Sequence, residues 1–110
     1  TEDVPAKQEP AGPEGAYLLR ESTKEKIYLP DEGLVMGKDP QQSDYCIAEN
    51  QAVSRRHAQL EKLDGEWNLI DLNSLNGTSK NGERLVGNIA NRLKNKDVIF
   101  LADERFIYYA

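Results

Sequence analysis

Nowhere along these 110 residues do apolar side chains recur at i, i+3, i+4 and i+7 over three consecutive turns. The chain offers short apolar clusters instead, each cut off by a turn signal. Such a pattern cannot build amphipathic helices, but it suits strands that bury one face. Strands are predicted over Ala16–Arg20, Lys26–Leu29, Leu34–Gly37, Ala58–Leu63, Glu66–Asp71, Thr78–Lys80, Glu83–Leu85, Asp97–Leu101 and Arg105–Tyr109. Two dipeptides, Asp64-Gly65 and Asn81-Gly82, sit between such runs and signal tight hairpins. Asn88 to Leu93 reads as loop and edge strand. About ten or eleven short strands with frequent turns imply an all-β sandwich.

Length allows one domain. Residues 1–15 hold Pro5, Pro10, Pro13, Gly12 and Gly15 and no large apolar residue beyond Val4. Their charges are Lys7 against Glu2, Asp3, Glu9 and Glu14, a net of −3. A stretch like this buries too little to offset its ordering entropy, so 1–15 is expected to be a flexible acidic tail or linker and 16–110 the folded domain. The start at Thr1 reads as a piece of something longer.

Function classes fall away on simple counts. Fourteen Lys and Arg against nineteen Asp and Glu give a net charge of −5, which disfavours nucleic acid as a partner. The longest apolar run, Val98 to Ala102, is far short of the roughly 20 residues that cross a bilayer. A single cysteine excludes an internal disulfide and a multi-Cys zinc site, a single histidine excludes multi-His metal sites, and no cofactor is expected. Cys46, beside Tyr45 and Ile47, reads as a small buried core residue. Its solitary thiol fits a reducing compartment, hence a cytoplasmic location.

Three loops carry more chemistry than turns require. They are Met36-Gly37-Lys38-Asp39-Pro40 with Ser43-Asp44, Asn50 to His57, and Leu72 to Thr78. Loops at one end of a sandwich cluster. Sharing an end, these three gather the Lys38 ammonium, the Arg55 and Arg56 guanidiniums, the Ser54 and Thr78 hydroxyls, the Asn76 amide and the His57 imidazole. Every one of these can donate a hydrogen bond. Cations and neutral donors together suit a phosphate, whose oxygens accept from several directions. A carboxamide both donates and accepts, so Asn76 adds a means of holding peptide backbone.

Gly37-Lys38, Ser54-Arg55-Arg56-His57, Ser74-Leu75-Asn76-Gly77-Thr78 and Asn81-Gly82, in this order and spacing, resemble the forkhead-associated (FHA) domain family over about Ala16 to Tyr109, with wording most like bacterial members. The resemblance implies an FHA/SMAD-like sandwich of about eleven strands. It also implies binding of phosphothreonine peptides through loops at one end, in phosphorylation-dependent signalling, without enzymatic activity. By that likeness Lys38 meets the phosphate, Ser54 donates to a phosphate oxygen, Arg55 touches phosphate or peptide, and Asn76 holds the peptide main chain. Gly37, His57, Gly77 and Thr78 shape the loops. Lys38 departs from the family's usual arginine. A point charge replaces a planar fork, so weaker phosphate binding is expected, with Arg55 or Arg56 sharing the charge. The same substitution supports an alternative: a degenerate member acting as a phosphate-independent assembly domain.

Blander readings compete. Asp71 reads as a cap or brace for the third loop, and Trp67, Leu69 and Ile70 read as core. A hydrolase with Ser54 as nucleophile and His57 as base would need an extended segment to curl the two side chains together, a third orienting group and an oxyanion hole.

Overall fold

A computed structural model describes residues 15–110. The expected tail, apart from Gly15, lies outside the described residues. Eleven strands follow in chain order: β1 (Tyr17–Arg20), β2 (Glu25–Tyr28), β3 (Leu34–Gly37), β4 (Tyr45–Cys46), β5 (Ala58–Leu63), β6 (Glu66–Asp71), β7 (Thr78–Lys80), β8 (Glu83–Arg84), β9 (Asn91–Arg92), β10 (Val98–Leu101) and β11 (Glu104–Tyr109). They form a six-stranded sheet, β2-β1-β11-β10-β7-β8, and a five-stranded sheet, β4-β3-β5-β6-β9. The all-β sandwich expected from the sequence is the fold observed, with strand ends shifted by a residue or so.

Burial alternates along β1, β10 and β11, as a half-buried antiparallel sheet requires. Leu18, Ile99, Leu101 and Phe106 point inward from one sheet and Met36, Leu60 and Leu69 from the other, all fully buried. Each such side chain contributes roughly 1.5–3 kcal/mol. Both expected hairpins form, with Asp64-Gly65 and Asn81-Gly82 at positive φ, the backbone that two-residue turns need. Asn91–Arg92 pairs with Asn68 and Leu69 as an edge strand.

Two expectations fail in detail. Cys46 is half-buried rather than core, because it lies on edge strand β4, and its thiol meets the Lys38 carbonyl at 3.3 Å. Ile70 is also half-buried: Trp67 and Leu69 take the inward positions, and alternation turns Ile70 outward.

Register decides which loops meet. Met36 pairs with Tyr45 and with Ala58, Gly37 with Cys46, and Ala58 with Asp71. The exits of β3, β4 and β6 and the entry of β5 therefore lie along one edge. In the other sheet Leu101 pairs with Thr78 and with Glu104, which brings the entry of β7 and the β10–β11 turn together. The Ala102 amide bonds the Gly77 carbonyl at 2.9 Å and joins the two sets.

Candidate functional site

The rim at this end is held by backbone. The Lys38 amide donates to the Ser54 carbonyl (2.9 Å), the Asp39 amide to the Arg55 carbonyl (3.3 Å) and the His57 amide to the Met36 carbonyl (2.8 Å). Gly37 makes this possible: a Cβ there would lie 1.9 Å from the Arg55 carbonyl oxygen. Loop one is thereby pressed directly onto loop two.

Side chains bind loop three to loop two. The Ser54 hydroxyl oxygen accepts the Leu75 amide at 3.0 Å, which leaves its proton free to donate outward. Asn76 Nδ2 donates to the Ala52 carbonyl at 2.8 Å, fixing the amide while leaving its oxygen and second N–H. Lys38, Ser54 and Asn76 thus stand on one hydrogen-bonded rim, not at separate corners of the molecule.

His57 and Thr78, grouped among possible donors by chemistry but given a loop-shaping role by the family resemblance, turn inward. The imidazole is completely buried. Its Nδ1 accepts the Ser54 amide (3.0 Å), so the proton sits on Nε2, which donates to the Gly77 carbonyl (2.9 Å). The Thr78 hydroxyl, also buried, donates to Asp71 Oδ1 at 2.6 Å. Asp71 further accepts the Ser74 hydroxyl (2.5 Å) and amide (3.2 Å), and the Ser74 oxygen accepts the Gly77 amide (3.0 Å). Asp71 therefore braces loop three from beneath. Alternation could not reveal this, because which donors turn inward depends on loop conformation.

Burial pushes the His57 imidazole below its ordinary value, against the opposing hydrogen bond to Gly77 and the charge of Asp71. The unfolded chain protonates near pH 6.5, whereas the folded ring resists, since a proton on Nδ1 breaks its bond to Ser54. Stability is therefore full above that pH and is lost as pH falls below it. Urea unfolding at steps from pH 7.5 to 5 is expected to show a falling midpoint; a flat profile contradicts this role for the ring.

Lys38 is half-exposed, and Arg55 and Arg56 are exposed. Among the described residues none of the three forms an ion pair. Asp39 is the nearby countercharge. Its carboxyl is lowered by hydrogen bonds from the Gln41 amide and the Gln42 side chain, and further by the charge of Arg55. Lys38, Arg55 and Arg56 concentrate three cations at the rim, beside the carboxylates of Asp39 and Asp44 on the first loop.

Two contributors escaped the sequence reading. Asn50 Nδ2 donates to Glu104 Oε1 (2.9 Å) and Asp103 Oδ1 (2.8 Å), while Asn50 Oδ1 accepts the Ala52 amide (2.9 Å), anchoring loop two to β11. The Arg84 guanidinium packs on Gly77, where its Nε lies 2.7 Å from the place a Cβ would occupy. The hairpin signal at Asn81-Gly82 places Arg84 opposite Ser79, but nothing in the sequence ties it to Gly77.

A family profile described as an FHA domain matches residues 34–102. One similar solved structure is described as an analysis of phosphothreonine-dependent FHA domain interactions (25% identity, TM-score 0.75, covering 86% of this chain and 95% of that one). Another is Mycobacterium tuberculosis EmbR in complex with a low-affinity phosphopeptide (26% identity, TM-score 0.77, 86% of this chain and 24% of that one). A third is the N-terminal FHA domain of S. cerevisiae Rad53p with a phosphothreonine peptide, whose 20% identity (TM-score 0.74, 86% and 92% covered) speaks to fold alone. Among curated proteins no match reaches significance.

Proposed function

The chain belongs to the FHA domain family, and on that premise we propose that it is a phosphothreonine-peptide binding module serving phosphorylation-dependent protein–protein interaction. The observation that carries this reading is the rim, where free donors of Ser54 and Asn76 stand beside Lys38, Arg55 and Arg56. A phosphate monoester brings a charge of about −1.5 to −2, which Lys38 and one arginine largely neutralise. The Asn76 amide is placed to bridge to peptide backbone. Solved relatives, one described by phosphothreonine-dependent interactions and one in complex with a phosphopeptide, support the partner type. The work is binding without chemistry, since His57 is spent on structure.

Membership among bacterial FHA domains rests on the wording of Val53 to His57 and Ser74 to Thr78, while similar folds come from M. tuberculosis and S. cerevisiae alike. A cytoplasmic setting rests on the solitary free thiol. Lys38 favours the second reading, a phosphate-independent assembly domain, because lysine gives up the bidentate fork.

Titration calorimetry with one peptide, phosphorylated and unphosphorylated, separates the two. Binding is expected only for the phosphorylated form and to weaken with salt; equal affinity for both sinks the proposal. Ser54→Ala and Asn76→Ala are each expected to lower affinity about tenfold or more, the loss of one charge-assisted or backbone hydrogen bond, with the circular dichroism spectrum retained.

A further inference from the structure

The chain contains two Asn-Gly dipeptides, Asn76-Gly77 and Asn81-Gly82. Both form turns, but this dipeptide also carries a reactivity of its own. The backbone nitrogen of the glycine can reach the carboxamide carbon and close a cyclic imide, since glycine presents only hydrogens where another residue would crowd the approach. The fold treats the two copies differently. Asn81 is anchored at both ends of its amide: Nδ2 donates to Asp97 Oδ1 (2.9 Å) and Oδ1 accepts the Val98 amide (2.8 Å). Asn76 is exposed and its amide is held by a single bond, from Nδ2 to the Ala52 carbonyl (2.8 Å), so it turns once that bond opens. The Gly77 nitrogen is likewise retained by one neutral acceptor, Ser74 Oγ (3.0 Å).

A cation stands beside the first of these dipeptides. Arg84 Nε lies 2.7 Å from where a Cβ on Gly77 would sit, and Arg84 forms no ion pair among the described residues. A positive charge next to an amide favours its deprotonated form, and that form is the nucleophile. Around Gly82 the corresponding position meets no atom within 4 Å. Both the looser amide and the adjacent cation therefore single out Asn76, the residue read as the main-chain clamp.

We propose that Asn76-Gly77 is a self-modification site whose deamidation switches the rim off. The Gly77 nitrogen loses its proton and bonds to Asn76 Cγ; the Cγ–Nδ2 bond breaks, and ammonia leaves with that proton. Water then opens the cyclic imide at one carbonyl or the other, which leaves aspartate or isoaspartate. One water is consumed and one ammonia released. The product has no N–H for the Ala52 carbonyl and sets a carboxylate beside the place of the phosphate. Isoaspartate also lengthens the main chain just ahead of the Gly77 carbonyl, which accepts both His57 Nε2 and the Ala102 amide at 2.9 Å. A bound peptide engages the remaining Asn76 Oδ1 and N–H, so an occupied domain outlasts an empty one. The effect on binding rests on the phosphopeptide reading of the same rim; the reaction itself does not.

The test ages the full chain at pH 6, 7 and 8 and follows both asparagines by peptide mapping with mass spectrometry, which needs no ligand. In the folded chain Asn76 is expected to convert about threefold faster than Asn81 or more, and faster as pH rises. In urea the two rates are expected to agree within about twofold. Arg84→Met is expected to slow conversion at Asn76 about threefold and to leave Asn81 unchanged. Converted domain, separated by its added charge, is expected to bind a phosphothreonine peptide at least about tenfold more weakly than fresh domain. Saturating peptide is expected to slow conversion at Asn76 about threefold or more. Conversion at Asn76 no faster than at Asn81, a preference for Asn76 that persists in urea, or a rate untouched by Arg84→Met overturns the assignment. Converted domain that binds as well as fresh domain overturns the switch. Fresh domain that ignores the phosphopeptide overturns the phosphopeptide reading and with it the switch, while the conversion rates still decide the site.

Discussion

Alanine at Gly37 is expected to destabilise the domain by ~3 kcal/mol or more and to abolish ligand binding along with it. The added Cβ would stand 1.9 Å from the Arg55 carbonyl oxygen and 2.6 Å from its carbon. Both are backbone atoms, so no rotamer change relieves the contact and one loop must move off the other. Overpacking commonly costs about 1–3 kcal/mol. Here separation also disturbs the amide bonds from Lys38 and Asp39 to loop two. Gly82→Ala is the natural control. Its Cβ meets open space, but φ is +88, so about 1–2 kcal/mol of left-handed strain is its cost. Urea unfolding of both variants checks the order; a Gly37→Ala domain as stable as the Gly82→Ala domain contradicts the packing argument.

Removing one partner of the Arg20–Glu104 pair is expected to cost about 3–5 kcal/mol. Both side chains are almost wholly buried, and Arg20 Nε meets Glu104 Oε2 at 2.7 Å. Arg20 also donates to the hydroxyl of Tyr45 on the other sheet and pairs with Glu49 in the turn that follows β4, so the cluster clips the two layers together. For Glu104, burial is the largest influence and favours the neutral acid. Hydrogen bonds from Arg20, Ser22 and Asn50, with the charge of Arg20, outweigh it and hold the carboxyl at about 2 rather than 4.5. That difference corresponds to roughly 3 kcal/mol. A lowered carboxyl stabilises above the unfolded value, so the contribution is complete above about pH 4.5 and disappears as pH falls toward 2. Glu104→Ala is expected to unfold at markedly lower urea at pH 7 and to lose the steep acid limb, which lies well below the His57 window. Joint replacement, Arg20→Met with Glu104→Leu, is expected to cost less than the two single changes summed.

The Asx-Gly turns and the alternation of the long strands were legible because local chemistry dictates them: positive φ at two successive residues and one wet face. The three loops were legible as a set, since short polar runs at strand ends have few other places to go. Strand β4 was not. Two residues carry no period, and its parallel pairing with β3 comes from the crossover of residues 38–44. Arg20 and Glu104 lie 84 residues apart and look like ordinary surface charges in a chain with 30% charged residues. The inward turn of His57 and Thr78 could not be read from composition and spacing, and only the family resemblance pointed to it. A side chain that completes backbone hydrogen bonding and one that greets a ligand are written with the same letters.

The rim separates two kinds of position. Gly37, His57, Asp71 and Ser74 are locked into holding the loops, whereas the side chains of Ala48, Gln51 and Leu75 stand exposed and take no part in that bracing (Leu75 is 82% accessible). Substitutions at the second group carry little folding penalty. A lineage carrying this domain is therefore free to exchange one client protein for another by neutral drift at those sites. Because the loops are ordered in advance, each new client is also spared most of the entropy of fixing them.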